Sequence, residues 1–446
     1  MNRLSTTGIL LKILLFAFFY FWDVAMSSSG SGHHHKVLRS DQIQPISYNI
    51  RNELSDMDEF REVEYGIASL LGKFAMKGAS VAVAKDGKLV YARGIGYADV
   101  EAREPVEPRH MFRVASISKL ITATAIMKMN ESGMLRLDDR VFGPEGILND
   151  SIYLDYVDSR IENITVRNLL NHSAGWNRRF GDHMFMPHTI ARDLKIELPV
   201  DVPDIIRFAH RKRLHYNPGT RTSYSNLGYA ILGEVIGKVS GMGYEEYVKQ
   251  EILHPLGIQD MRIGGNLEKE RFENEVRYYE QDNAIMVNSF FDVDSIVSKS
   301  YGGNDIKTLG AAGGWIASPA ELLRLILAID GDPGVPDILS SESIELMTDR
   351  SLSGGHTIGW TSSDTRGNWW RTGTFAGTSA LVMRQGNGLT WAVFFNSSTY
   401  RGTSLAREIT REVQTALNRI DEWPEHDLFY YIESLPFLYP DIAELR

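Results

Sequence analysis

Hydrophobic and polar positions divide the chain into segments of helical and of strand periodicity. Between 58 and 76 the apolar residues recur at helical spacing and fall mostly on one broad face. From 79 to 84 the period changes to two, Asp86-Gly87 supplies a hairpin turn, and 88–97 continues the alternation. The pattern predicts an N-terminal helix that leads into an antiparallel pair of strands.

The pattern changes after a second predicted helix. That helix runs from Ser116 to Ser132 and ends at Gly133, a residue suited to a C-cap. From about 135 to 304 the chain becomes mostly helical and rich in loops, with helical spacing over 227–239. This stretch is predicted to form an inserted helical lobe.

Strand patterns return in the last third of the chain. Ser318 to Glu321 reads as a capping box with proline at the first helical position, and it opens a predicted helix to about 329. The segments that follow are four predicted strands and one helix: strands at 357–362, 368–371, 377–384 and 389–395, and a helix at 404–419.

Strands near both ends of the chain predict a single, mostly antiparallel sheet. The predicted fold class is therefore α/β (α+β), with a sheet flanked by helices and the helical lobe 135–304 inserted into it. The sheet-and-helix domain comprises 58–134 and 305–446. A cleft between the two parts is a favoured place for a small-molecule site.

Residues 1–57 are predicted to be a signal or anchor segment with a linker. Arg3 and Lys12 precede a short apolar run, 13–22, and Ala25-Met26-Ser27 fits a cleavage site. A membrane-spanning helix needs about 20 apolar residues, so export with cleavage is favoured over an uncleaved anchor. The sequence thus predicts a periplasmic or extracellular protein, with membrane association through this segment as the alternative.

Composition narrows the classes of partner. The chain has 446 residues, 43% of them hydrophobic, and a formal net charge of -10, which argues against nucleic acid as a partner. It has no cysteine, which removes disulfides, thiolate catalysis and cysteine-ligated zinc. His183 and His188 do not form a recognised metal motif. The sequence predicts a small-molecule or peptide substrate, and no cofactor or metal.

The first chemical motif is Ser116-Ile117-Ser118-Lys119, at the start of the second predicted helix. Positions three apart share a helix face, so the hydroxyl and the amine lie side by side. The free N–H groups and positive dipole end of a first turn favour an oxyanion and disfavour a charged lysine. Ser116 is a candidate nucleophile and Lys119 a candidate base. The alternative is a capping serine with a lysine in solvent.

A second motif, Tyr224-Ser225-Asn226, adds a phenol and an amide. Tyr224 can relay a proton between Ser116 and the leaving group, with its pKa lowered by nearby cations. Asn226 can either hold Lys119 in place or donate a hydrogen bond to a substrate carbonyl. Taken alone, the motif also fits an ordinary turn tyrosine that precedes a helix.

The third motif, Arg371-Thr372-Gly373-Thr374, falls in a predicted strand. Gly373 lets a substrate approach the strand edge, and the N–H of Thr374 is a candidate second oxyanion donor beside that of Ser116. Arg371, Thr372 and Gly373 are predicted substrate contacts, with Arg371 attracting a carboxylate. A strand end with an exposed arginine is the alternative. The conjunction of three motifs, each on the element that its role requires, predicts an acyl-transfer site.

With these motifs the chain resembles the class C β-lactamase-like serine hydrolases, which include D-alanyl-D-alanine carboxypeptidases, D-aminopeptidases and esterases. The resemblance covers about 64–418. It rests on stretches such as FRVASISK (112–119), TVRNLLNHSAG (165–175), NPGTRTSYSNLG (217–228), AGGWIASPAEL (312–322) and GTFAGTSA (373–380). It implies that Ser116 is the nucleophile, Lys119 and Tyr224 the base pair, and Asn226 a substrate contact.

The chain departs from this family at Arg371, where lysine or histidine is usual. Arginine keeps the positive charge but cannot give up a proton, and its planar fork prefers a carboxylate. Substrate binding is expected to survive, whereas the departure brings efficient β-lactam turnover into question. Gly355-His356-Thr357 imitates the histidine form of the motif. However, 357–360 matches the strand that precedes the motif in the family, so no catalytic role is predicted for His356.

The resulting functional prediction is a serine hydrolase that forms an acyl-enzyme on an amide, lactam or ester carbonyl. Two alternatives share the same motifs. One is a carboxylesterase with small ester substrates. The other is a penicilloyl-binding or membrane-anchored scaffold protein that does not turn over a substrate.

Overall fold

A seven-stranded sheet organises the computed structural model, which describes residues 49–281, 283–351 and 356–431. These residues belong to one compact unit. Residues 1–48 of the predicted signal or anchor segment and linker, and residues 432–446, lie outside the described residues. Within the described ranges, no helix has the length and apolar character needed to cross a membrane.

The strands form three sheets. Every pairing within them is antiparallel, and the order in the large sheet is β3-β2-β1-β12-β11-β10-β9, with smaller sheets β4-β8-β5 and β6-β7. Their bounds are β1 Gly78–Lys85, β2 Lys88–Asp99, β3 Glu104–Pro105, β4 Phe112–Arg113, β5 Arg262–Ile263, β6 Val287–Asn288, β7 Ile296–Val297, β8 Trp315–Ala317, β9 Ser362–Ser363, β10 Trp369–Phe375, β11 Thr378–Arg384 and β12 Leu389–Phe395.

Helices cover both faces of the large sheet. Their bounds are α1 Arg61–Phe74, α2 Ser118–Glu131, α3 Val166–Leu170, α4 Pro187–Leu194, α5 Val202–His210, α6 Asn226–Ser240, α7 Tyr244–Val248, α8 Ile306–Gly313, α9 Pro319–Leu327, α10 Ser341–Thr348 and α11 Leu405–Leu417. Short 3₁₀ turns connect several of them.

Two hydrophobic clusters lie on the two sides of the sheet. In β1, Ala82 and Ala84 face the cluster that contains the residues of α2, α6 and α9, whereas Val81 and Val83 face the cluster formed with α1 and α11. A strand whose side chains are buried on both faces lies inside a sheet that is covered on both sides. The burial of both sets of side chains in β1 therefore agrees with its interior position in the sheet.

Most predicted elements are present, and one strand prediction is wrong. The segment 357–362 was expected to be a strand, but only Ser362 belongs to one. Gly359 has a φ of +76°, and a Cβ there would lie 2.9 Å from Ala123 Cβ and 3.0 Å from Leu120 Cδ1. The backbone turns at this glycine to pack closely against α2, which interrupts the extended conformation. The division into a sheet domain and a helical lobe at 135–304 stays a prediction.

Candidate active site

Ser116 lies in a 3₁₀ turn, Ala115–Ile117, immediately before α2 rather than in the first turn of that α-helix. Ala115 has a φ of +47°, in the left-handed region that costs a residue with a side chain about 1–2 kcal/mol. Neighbouring hydrogen bonds hold the turn, because Val114 N donates to Trp315 O at 3.0 Å and Ile117 N donates to Val114 O at 3.1 Å. Strain beside a candidate nucleophile is typical of functional sites.

Strand β10 packs directly against this turn. A Cβ built on Gly373 would fall against the main-chain oxygen of Val114 and lie 3.3 Å from Ala115 Cβ. The absence of a side chain at this position therefore lets the serine turn rest directly on the strand. Arg371 and Phe375 are two positions away on either side, so they share the face on which the turn sits.

Three predicted residues come together at this turn. Ser116 Oγ and Tyr224 OH are 2.7 Å apart, and either oxygen can be the donor. Lys119 is fully buried, at 0% exposure, and its Nζ lies 4.9 Å from the centre of the Tyr224 ring. Lys119 Nζ also donates to Asn226 Oδ1 at 2.7 Å and to the main-chain oxygen of Ala312. The hydroxyl, phenol and amine thus form one connected cluster.

The environment shifts both pKa values of the base pair downward. Burial lowers the pKa of Lys119, and the Arg371 cation lowers it further, although Tyr224 and Asp182 act in the opposite direction. Burial alone would raise the pKa of Tyr224, but the cations of Lys119 and Arg371 outweigh it and bring that pKa to about 8. The Lys119 amine is therefore neutral, and the Tyr224 phenol ionised, more readily than usual, which suits proton transfer by this pair.

Arg371 is directed inward. Its side chain is 3% exposed, its Nε donates to the main-chain oxygen of Ser116 at 2.8 Å, and its Nη2 donates to Tyr224 OH at 3.4 Å. The guanidinium therefore braces the serine turn and the tyrosine together. Its predicted attraction of a substrate carboxylate stays a prediction.

Within the described residues, the edge of β10 away from β11 is paired with β9 at Trp369 and Trp370. Trp370 O accepts from Thr361 N, and Thr372 N donates to Thr361 Oγ1, so the main-chain groups of these residues point away from β11. Because main-chain groups alternate along a strand, the N–H of Thr374 points to that same edge, beyond the end of β9. The role of the Ser116 and Thr374 N–H groups as oxyanion donors stays a prediction.

Two further residues of the site were not singled out from the sequence. His172 accepts from Ser223 N through its main-chain oxygen at 2.9 Å and from Ser225 N through Nδ1 at 3.3 Å, so it holds the Tyr224 loop from both sides. Its ring centre is 4.7 Å from that of Tyr224, and burial, reinforced by Arg371 and Lys119, sets its pKa well below the usual value. A neutral imidazole results.

The second of these residues is Asp182, whose Oδ2 accepts from Asn226 Nδ2 at 2.6 Å. It lies in a loop without a recognisable motif, so no sequence signal marked it. The signal for His172 was its place in the stretch 165–175, which carries part of the family resemblance. The structure places His356 beside His172, with ring centres 5.5 Å apart, rather than in contact with Ser116.

An aromatic pair lies close in sequence to two residues of the site. The ring centres of Phe185 and Phe375 are 6.1 Å apart, and Phe185 is 38% exposed. Phe375 follows Thr374 on β10, and Phe185 follows Asp182 by three residues. An apolar surface is therefore available next to the polar cluster.

Comparison with known families agrees with this geometry. A family model described as Beta-lactamase matches residues 67–414, which is most of the chain. The chain belongs to the Beta-lactamase family. The resemblance inferred from the three motifs is confirmed, and the match contains every residue of the site described above.

Curated relatives within the Beta-lactamase family match about half of this chain. Penicillin-binding protein 4* of Bacillus subtilis (strain 168) is 29% identical over 213 residues, which cover 48% of this chain and 44% of that protein. Protein flp of Staphylococcus aureus (strain MW2) is 29% identical over 202 residues, covering 45% of this chain and 37% of that protein. The chain thus spans less than half the length of these relatives.

Solved structures extend the Beta-lactamase family similarity to the whole fold. The octameric penicillin-binding protein homologue from Pyrococcus abyssi has a TM-score of 0.60 and 28% identity, covering 80% of this chain and 78% of that one. D-amino acid amidase from Ochrobactrum anthropi SV3 has a TM-score of 0.63 at 21% identity, covering 81% and 99%. At that identity the second likeness shows the fold alone. The predicted fold class is confirmed.

Proposed function

We propose that this protein is a serine hydrolase that acts on an amide, lactam or ester carbonyl through an acyl-enzyme. The observation that carries the proposal is the 2.7 Å contact between Ser116 Oγ and Tyr224 OH, with the buried Lys119 amine beside the same phenol. A serine hydroxyl is a weak nucleophile until a neighbouring base removes its proton. The relatives' printed names and the family membership support the same chemistry.

The reaction divides into two halves. In acylation, Ser116 Oγ attacks the carbonyl carbon while its proton passes to the Tyr224–Lys119 pair, and the N–H groups of Ser116 and Thr374 hold the oxyanion. The tetrahedral intermediate then collapses, and the leaving group takes that proton as its bond to carbon breaks. In deacylation a water molecule attacks the ester of Ser116, loses a proton to the same pair, and the acid is released with Ser116 protonated again.

The rim of the site favours an apolar acyl group. Phe185 and Phe375 offer two aromatic faces next to the candidate oxyanion edge, and aromatic surface contributes binding through burial of apolar area. We therefore expect substrates with aromatic or branched acyl groups to be preferred over acetyl compounds. A D-amino acid amidase among the solved structures of similar fold makes amides of such acyl groups suitable test compounds.

The test is covalent labelling with a fluorophosphonate and with a fluorescent penicillin. Ser116→Ala should abolish labelling, whereas Ser132→Ala, which removes an exposed hydroxyl just after α2, should leave it unchanged. Labelling that persists in the Ser116→Ala variant would refute the nucleophile assignment.

Turnover separates the proposed activity from its alternatives. A carboxylesterase cleaves nitrophenyl esters but leaves a chromogenic cephalosporin and D-Ala-D-Ala peptides intact. A penicilloyl-binding scaffold gives a burst of one equivalent and then stops. Continued turnover of an amide or lactam supports the peptidase or lactamase form of the proposal.

Export to the periplasm or the extracellular space is also part of the proposal. The basic residues, apolar run and small residues within 1–30 support it. Expression of the full chain, fractionation of the cells and determination of the mature N-terminus test it. A protein that stays in the cytoplasm with residue 1 retained would contradict export.

A further inference from the structure

Asp182 stands behind the candidate base pair and is fixed by two hydrogen bonds. Its Oδ2 accepts from Asn226 Nδ2 at 2.6 Å, and its Oδ1 accepts from Met184 N at 3.2 Å, which caps the 3₁₀ turn His183–Phe185. Because each carboxylate oxygen has its own donor, the orientation of the group is determined by the local backbone.

The bond from Asp182 determines which end of the Asn226 amide meets Lys119. An amide has an accepting end and a donating end, and a carboxylate can only accept. Asp182 therefore selects the NH₂ end of Asn226, which directs Oδ1 toward Lys119 Nζ, 2.7 Å away. The reversed amide would bring its NH₂ group against the lysine and its oxygen against the carboxylate.

We propose that Asp182 is a positioning residue of the acyl-transfer site, which acts through Asn226 to hold the Lys119 amine against Tyr224. The inference rests on the proposed function. It adds Asp182, through Asn226, behind the base pair of Lys119 and Tyr224. The order of contacts is then Asp182, Asn226, Lys119, Tyr224 and Ser116.

The charge of Asp182 acts in addition to its geometry. Lys119 is surrounded by the Tyr224 phenol, the Arg371 guanidinium and the neutral His172 imidazole, and Asp182 supplies a carboxylate among them. Burial and Arg371 lower the pKa of Lys119, whereas the negative charge of Asp182 raises it. Asp182 thereby offsets part of the lowering of the Lys119 pKa.

This arrangement also accommodates both roles that the sequence allowed for Asn226. Its oxygen holds Lys119, and one of its two N–H bonds is used by Asp182. The second N–H of Nδ2 is left to donate to a substrate carbonyl. Holding the lysine and contacting the substrate are therefore compatible.

Two substitutions separate orientation from charge. Asp182→Asn keeps the shape and one oxygen, which can accept from Asn226 at the expense of the bond from Met184 N, but it removes the negative charge. Asp182→Ala removes both. Asp201→Asn is the matched control, because Asp201 caps α5 by accepting from Asp204 N at 2.9 Å.

The measurement is the pH profile of kcat/KM on a nitrophenyl ester, together with the rate of labelling by a fluorophosphonate. Because the base must be unprotonated, removal of the carboxylate in Asp182→Asn should move the acidic limb to lower pH. Asp182→Ala should also slow labelling by about 10- to 100-fold. The control should keep the wild-type profile.

An unchanged acidic limb in Asp182→Asn would overturn the proposal, as would wild-type labelling by Asp182→Ala. A thermal unfolding midpoint for each variant shows whether the fold is intact, and if Asp182→Ala does not fold, the profile of Asp182→Asn decides. Failure of the proposed function would look different, because Ser116→Ala would then keep its labelling whatever happens at Asp182.

Discussion

Arg371 Nε donates a hydrogen bond of 2.8 Å to the main-chain oxygen of Ser116. The cation of the third motif is thus bound to the residue whose hydroxyl the mechanism needs, and it reaches Tyr224 OH with a second nitrogen. A planar guanidinium can serve two acceptors at once, which a lysine ammonium in the same place does less rigidly. The arginine found here in place of the usual lysine or histidine therefore has a structural basis.

Replacing Arg371 should raise the pKa of the base pair. The Arg371 cation lowers the pKa values of both Tyr224 and Lys119, so in Arg371→Ala the acidic limb of kcat/KM should move to higher pH. Arg371→Lys keeps the charge and should shift the limb less. The pH profile on a neutral nitrophenyl ester measures both variants.

The same variants test how Arg371 meets the substrate. Because its side chain is 3% exposed and bonded to Ser116 and Tyr224, we expect anionic and neutral substrates to lose activity to a similar degree in Arg371→Ala. Relative kcat/KM on a matched pair of charged and uncharged esters gives the answer. A selective loss on the anionic ester would establish the carboxylate-binding role that the sequence predicted.

Tyr224→Phe should remove the proton path from Ser116. The phenol has a pKa of about 8, and its basic form is lost as the pH falls through that value, so the wild-type enzyme should lose activity below about pH 8. The phenylalanine variant should lose about 10²- to 10⁴-fold in kcat/KM at pH 8. Stopped-flow acylation measures this loss, and an acylation rate equal to that of the wild type would exclude Tyr224 from proton transfer.

Gly373→Ala should displace the serine turn. The new methyl group would meet the Val114 carbonyl, 3.0 Å from its carbon, so we expect a loss of about 1–3 kcal/mol in the free energy of unfolding together with a loss of labelling. Gly72→Ala is the control, because Gly72 lies in α1 with open space around its Cβ position. That change should stabilise the protein by about 0.5–1 kcal/mol. Urea unfolding compares the two variants, and equal stabilities would contradict the close approach.

Glu321 makes the stability of the fold depend on pH. Burial raises its pKa from 4.5 to about 7, so the folded protein binds its proton more tightly than the unfolded chain does. The contribution of the protonated Glu321 to the free energy of unfolding is fully present below pH 4.5 and is lost as the pH rises through 7. Glu321→Gln should reduce the pH dependence of the free energy of unfolding in this range. The glutamine oxygen can still accept from Asp260 N, which lies 2.9 Å from Glu321 Oε1 in the wild-type protein. Urea unfolding at pH 5 and pH 8 measures the difference, and a slope that persists in the variant would assign it to other groups.

The parts of the site that the sequence predicted consist of residues that lie close together in the chain. Ser116 and Lys119 are three residues apart, and the 3₁₀ turn and the start of α2 preserve their common side. Tyr224 and Asn226 flank the N-cap Ser225, whose side chain accepts from Gly228 N and starts α6. Such local patterns survive folding because the elements they start are determined by the same residues.

The parts that the sequence missed depend on packing between distant segments. Asp182 gains its significance only because its loop meets the start of α6, 44 residues later in the chain. The strand wrongly predicted at 357–362 has apolar residues of suitable type, but the fit of Gly359 against α2 prevails over that local preference. Neither of these contacts produces a periodic pattern of residues in the sequence.

The complete burial of Lys119 restricts where its protons can go. Its amine contacts Asn226, the main-chain oxygen of Ala312 and the Tyr224 ring, and none of its surface reaches water. The tyrosine hydroxyl is the group of the pair that lies against Ser116, and it can pass a proton between the two. In the proposed mechanism, the proton that leaves Ser116 therefore stays beside the bond that is cleaved, and its return to the leaving group requires no passage through solvent.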